Sequence, residues 1–220
     1  MTPKLLTEAI GAFVLLFTIG LTTVQEGVPA PLAIGIALMV VVYAGGHVSG
    51  AHYNPAVTIS VWLRGALPGR EVLPYIGAQL VGAFVASFMA YKFIGFPIHV
   101  APSDGVTALK AVTGEAIFSF TLCYVVLNVA TAKATANNQY FGLAIGGTVM
   151  AGAFAMGGIS GGAFNPAVGL MPALFGMFVG GSPTPLAWVY AVGPVLGGVA
   201  AAQVFKAMHP GTAGSSSSSA

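Results

Sequence analysis

Ser49-Gly50-Ala51-His52-Tyr53-Asn54-Pro55-Ala56 and Ser160-Gly161-Gly162-Ala163-Phe164-Asn165-Pro166-Ala167 are one pattern written twice, with Asn165 lying 111 residues after Asn54. In each copy an Asn precedes a Pro. An Asn caps a helix N-terminus, and Pro suits the first helical position because its missing N–H has no partner there anyway. Both copies sit in glycine-rich breaks within apolar sequence. Two such starts, one in each half of an apolar chain, predict two short helices whose N-termini point at one place, a device suited to a pore.

The surrounding composition sets the solvent. Of 220 residues, 56% are hydrophobic and 5% charged, with a mean hydropathy of +0.90. A soluble domain carries several times more charge. Six apolar stretches approach the roughly 20 residues a bilayer helix needs: Leu5–Val24, Pro31–Gly50, Val72–Phe93, Lys110–Thr131, Tyr140–Gly157 and Leu186–Met208. The runs are continuous rather than alternating, which predicts an all-α membrane protein and not a barrel. The first stretch holds Glu8, lacks a small-x-small cleavage site and exceeds a signal-peptide core, so it is read as a retained helix. The net charge of +2 says nothing about nucleic acid, and no nucleic-acid partner is expected. The single Cys123 lies mid-helix and carries no metal spacing, so it reads as a packed core thiol, and no metal or cofactor is expected.

Basic residues orient the chain. With the N-terminus inside, Lys4, Arg64, Arg70, Lys133 and Lys206 are cytoplasmic, and Lys92 and Lys110 are not. Both termini are then cytoplasmic, and a plasma (inner) membrane is the expected location. Residues 1–208 read as one transmembrane channel domain with repeat halves of about 1–95 and 110–208; residues 211–220 form a Ser-rich tail expected to be disordered.

The repeat extends beyond the two motifs. Thr7-Glu8-Ala9-Ile10 opens the first span and Gly114-Glu115-Ala116-Ile117 lies early in the fourth. Three spans are an odd number, so the second half enters the membrane inverted relative to the first. Inverted repeats place their site near the midplane, where broken helices meet. The segment Pro55–Leu63 covers about 14 Å as a helix, half of a ~30 Å hydrocarbon core, and Pro166–Phe178 is slightly longer. Neither crosses alone, but one from each side can meet the other. The runs Gly45–Tyr53 and Gly157–Phe164 are expected to be non-helical, with carbonyls lining a wet path. Glu8 and Glu115 are ionisable groups inside spans. Support of the loops by accepting backbone hydrogen bonds is preferred over a proton relay, since the spans offer no continuing chain of titratable groups.

With these residues in hand, the chain resembles the aquaporin and aquaglyceroporin family of major intrinsic proteins. The resemblance rests on the two motifs, on Tyr75-Ile76-Gly77-Ala78-Gln79 and on Trp188-Val189-Tyr190-Ala191-Val192-Gly193-Pro194, and covers about residues 4–208. It implies six transmembrane helices plus two re-entrant half-helices, a homotetramer with one pore per subunit, and passive passage of water or small neutral solutes. It places the pore centre at Asn54, Pro55, Ala56, Asn165, Pro166 and Ala167, with both Asn side chains donating to the solute. The positive ends of the half-helices would repel cations and protons.

One departure is informative. Most members carry Arg directly after the second motif, where this chain has Val168. The resemblance sets the other constriction positions on Ile34, Ala153 and Gly162, where water-selective members typically have an aromatic and a His at the two helical sites. Each replacement removes bulk, charge or a donor. The implied filter of Ile34, Ala153, Gly162 and Val168 is wide and weakly polar. The implied solutes are water, glycerol, urea, ammonia, hydrogen peroxide and neutral metalloid hydroxides. Gly169, Ala173, Tyr190 and Ala191 give a mixed pattern between water and glycerol types.

Other features are read structurally. His47 and His52 are expected to brace the first loop rather than gate it; His99 and His209 are expected to be solvated. The ridges Gly142/Gly146 and Gly193/Gly197 are assigned to packing within the subunit. Two alternatives remain: an ion-conducting channel of the same fold, and an intramembrane serine hydrolase using Ser160 of Gly158-Ile159-Ser160-Gly161-Gly162. The hydrolase lacks a base, since the second half holds no His before His209, so the protein is read as not an enzyme.

Overall fold

The computed structural model describes residues 1–181 and 184–210, and within them every regular element is helical. Four helices make the first half: α1 (Thr2–Thr22), α2 (Ala30–Ser49), α3 (Pro55–Arg64) and α4 (Gly69–Ile94). The second half repeats the order as α5 (Ala108–Val126), α6 (Phe141–Met156), α7 (Pro166–Phe178) and α8 (Val189–Met208). The Ser-rich tail lies outside the described residues.

Helices α1, α2, α4, α8 and α5 with its continuation to Thr131 are each long and apolar enough to cross a membrane. The sixth span is α6, whose 16 residues make about 24 Å of helix. At 10 and 13 residues, α3 and α7 are half-helices. Helix α3 runs one residue beyond the expected segment, to Arg64, before Gly65 turns the chain at φ 89°. Beyond Val126 the chain makes a π-helical turn, Leu127–Thr131. Arg64 holds it: Nε donates to Thr131 Oγ1 at 2.8 Å and Nη2 to Thr131 O at 2.6 Å. The same guanidinium lies 5.1 Å from the Phe205 ring centroid, so the far end of α3 is pinned to both α5 and α8.

The halves interlock. Helix α1 packs on α4 and α5 on α8, but α3 lies against α8 and α7 against α4. Each half-helix therefore rests on the last helix of the opposite half. Helices α2 and α6 meet between them. A Cβ on Gly146 would fall 2.4 Å from Gly35 O, and one on Gly197 2.3 Å from Ala116 O. The small-residue ridges thus serve close contact inside the subunit.

One expectation is corrected. The run Gly45–Tyr53 is not irregular throughout, because α2 stays helical to Ser49. Gly45 is needed for contact and not for irregular backbone: a Cβ there would lie 1.9 Å from Tyr53 Oη.

Candidate pore

Two short segments, 50–54 and 161–165, carry the chain from α2 into α3 and from the turn after α6 into α7. Their backbones correspond closely. Gly50, Ala51 and Tyr53 have φ of 87°, 53° and 52°; Gly161, Gly162 and Phe164 have 90°, 62° and 48°. The left-handed region costs a non-glycine residue about 1–2 kcal/mol, so Ala51, Tyr53 and Phe164 need external bracing.

Two buried carboxylates supply it. Glu8 Oε1 accepts from Ser49 Oγ (2.6 Å) and His52 N (3.0 Å), and Oε2 from Tyr53 N (2.7 Å) and Gln79 Nε2 (2.7 Å). Glu115 Oε1 accepts from Ser160 Oγ (2.7 Å) and Ala163 N (3.1 Å), and Oε2 from Phe164 N (2.6 Å). Both are fully buried. Their burial is tolerated because these hydrogen bonds replace the water each group gives up. Two tyrosines hold the motif's serine carbonyls, Tyr75 Oη donating to Ser49 O at 2.8 Å and Tyr190 Oη to Ser160 O at 2.5 Å.

The half-helices meet at their caps. Asn54 Oδ1 accepts from Ala56 N (2.8 Å) and Asn165 Oδ1 from Ala167 N (2.9 Å). Asn54 Nδ2 donates to Phe164 O (2.8 Å), and Asn165 Nδ2 to Tyr53 O (3.0 Å). Each amide thus caps its own helix and ties to the opposite loop. A primary amide has two N–H groups, so one donor on each Asn remains after the cross-tie. Pro55, Ala56, Pro166 and Ala167 are buried first-turn residues of the half-helices and stand behind the cavity wall rather than on it.

Asn54 and Asn165 line a common cavity of about 530 Å³, and Ile34, Ala153, Gly162 and Val168 line it too. Leu15, Leu38, Leu122 and Val149 form an apolar wall. A second cavity, about 470 Å³, is bordered by Lys4, His47, Leu67 and Thr131. His52 and Val126 border both. The two spaces adjoin at these side chains. Val126 was not singled out from sequence, since an apolar residue mid-span carries no local mark of facing a cavity.

Four residues differ from expectation or test it. His47 does not brace the loop: it sits exposed in the last turn of α2 and makes no hydrogen bond with a described residue. His52 is buried, its Nδ1 3.1 Å from Thr58 Oγ1. His99 is exposed, as expected, and also borders the larger cavity. Ser160 is fully buried with its hydroxyl donated to Glu115, so that hydroxyl does not face the cavity.

The model of the major intrinsic protein family matches residues 2–205. The chain belongs to this family. It is 36% identical over 215 residues to Aquaporin NIP1-1 of Zea mays, covering 92% of this chain and 73% of that protein. It is 36% identical over 186 residues to Aquaporin AqpM of Methanothermobacter marburgensis, covering 80% and 74% respectively. Its fold is that of the aquaglyceroporin from Plasmodium falciparum, with a TM-score of 0.84 at 22% identity over 96% of this chain and 98% of that one. Major intrinsic proteins are multi-pass membrane channels through which water and small solutes pass passively, and they are not a family of enzymes.

Proposed function

We propose that the two cavities form one pore for water and for neutral solutes up to the size of glycerol, urea or a metalloid hydroxide. Asn54 and Asn165 donate to the solute at the centre, and Ile34, Ala153, Gly162 and Val168 form a wide, weakly polar filter. Glu8, Glu115 and His52 hold the loops. The observation that carries the reading is that all four filter residues and both Asn side chains border one space, while none of those four bears a charge or a side-chain donor. The half-helix ends then act as the main barrier to cations, and the cost of stripping water from an ion excludes the rest.

The same reading takes the chain as one domain with halves of about 1–95 and 110–208, assembled as a homotetramer with one pore per subunit. Both termini face the cytoplasm of a plasma (inner) membrane. Orientation is supported by Lys4, paired with Glu71 at 3.0 Å, which shares the border of the smaller cavity with Thr131, the residue that Arg64 holds. Stopped-flow light scattering on proteoliposomes, with water, glycerol and urea gradients in turn, tests the proposal. Flux of water with the larger solutes at zero matching conductance is expected. Water alone would refute the wide filter, and currents of channel size would favour the ion-conducting alternative.

A further inference from the structure

The connection from α4 to α5 carries a side chain the filter reading does not use. Ile98 and Val100 are buried, Ile98 against α1, where a Cβ on Gly20 would lie 2.5 Å from Ile98 Cδ1. Between these two anchors His99 is exposed and borders the larger cavity. The connection is also fastened to the second re-entrant segment: Ser103 N donates to Ile159 O at 3.0 Å and Ser103 Oγ to Gly158 O at 2.8 Å. His99 is therefore held in place at the end of the cavity away from His52 and Val126.

That end is poor in donors. Ala30, Pro31, Ile34, Ala153, Phe154 and Val168 border it and offer none from their side chains. The hydroxyl of Thr23 is there, but it donates to Ile19 O at 2.8 Å. His99 makes no hydrogen bond with a described residue, and a neutral imidazole keeps one donor and one acceptor available. A solute with several hydroxyl or amide groups must give up water to enter so apolar a passage, and each unmet group raises the barrier. A single water molecule can keep bonds to the waters ahead of it and behind it.

We infer that His99 is a solute-contacting selectivity residue that exchanges hydrogen bonds with the hydroxyl or amide groups of neutral solutes entering the filter. This rests on the wide-pore reading above. The test is stopped-flow permeability of proteoliposomes matched for protein content, using glycerol, urea and water, for wild type, His99→Ala and His99→Gln. His99→Ala lowers glycerol and urea permeability about three- to tenfold, the worth of one neutral hydrogen bond, with water changed less than twofold. His99→Gln recovers most of the loss, because an amide also donates and accepts. Glycerol flux unchanged or raised in His99→Ala, water falling in parallel with glycerol, or Ala and Gln variants behaving alike would each overturn the inference. Wild type passing water but neither larger solute would overturn the wide pore itself and this inference with it. Wild type passing both, with His99→Ala unaltered, overturns the role of His99 alone.

Discussion

Glu8 receives four hydrogen bonds and Glu115 three, though the loops they hold have nearly the same backbone. The fourth comes from Gln79 of α4, whose Nε2 also donates to Thr58 Oγ1 at 2.9 Å. Thr58 in turn donates to Asn54 O at 3.1 Å. In the second half the register places Pro194 opposite Gln79 and Gly169 opposite Thr58. Contact replaces the amide and hydroxyl: a Cβ on Gly193 would fall 2.7 Å from Glu115 Cβ, and one on Gly169 2.2 Å from Tyr190 Cβ. The far ends of the half-helices differ in the same sense. Arg64 bonds to Thr131 in the first half. Its counterpart Phe175 sits among Phe84 and Tyr91, with ring centroids 5.8 and 5.6 Å away. One strained backbone is thus held twice, once by a polar network and once by tighter packing.

The largest effect is expected where support is least redundant. Glu115→Ala strands one hydroxyl and two backbone donors in the interior, at about 1–3 kcal/mol each. That approaches the whole stability of a typical domain, so little folded protein should elute from size-exclusion chromatography in detergent. Glu115→Gln keeps one acceptor oxygen and should be intermediate. A monodisperse Glu115→Ala with wild-type thermal stability would break the comparison outright.

Removing the cross-tie comes next. Asn165→Ala and Asn54→Ala each lose a cap, about 1 kcal/mol, and a bond to the opposite loop, about another. Both should lower the thermal midpoint and cut water permeability several-fold. A larger stability loss in the Asn165 variant would sharpen the contrast, since its loop has no Thr58–Gln79 network behind it.

Val168 and its counterpart Val57 both border the larger cavity. Val168→Arg should depress glycerol flux about tenfold relative to water, a difference near 1.4 kcal/mol in barrier. Val57→Arg, close to His52 and Asn54 in sequence, should depress both alike. Equal behaviour of the two variants would mean that the filter is not confined to the Val168 end.

Gln79→Leu gives the smallest expected change. It leaves Glu8 with the same three loop donors that Glu115 has, so the cost should be about 1–2 kcal/mol, read as a shift of a few degrees in the thermal midpoint with water flux retained. Complete unfolding of this variant would show that the polar network is not interchangeable with packing.

Much of this architecture is local in origin and so was legible in the chain. Apolar length marks the spans, Asn-Pro marks the half-helix starts, and the spacing of Glu8 and Glu115 marks the inversion, because each depends on residues a few turns apart. Misreadings arose where local and long-range roles of one residue diverge. Gly45 and Gly46 look like helix breakers, yet they are helical and lie against other parts of the chain, Gly46 near Phe141, where a Cβ would meet its ring at 3.3 Å. His47 follows them on the same last turn of α2, outside the loop.

The sequence by itself determined that this is a membrane-embedded inverted repeat with two helix starts aimed at each other. Hydrophobic length, proline at a first turn and repeat spacing are properties of the chain before it folds. Only the tertiary structure decided that Asn54 Nδ2 reaches Phe164 O across 110 positions, that Val126 and His52 stand where two cavities adjoin, and that His99 borders the larger one. A cavity is the space left between packed elements. Its lining depends on how the two halves dock, and no short window of sequence carries that information.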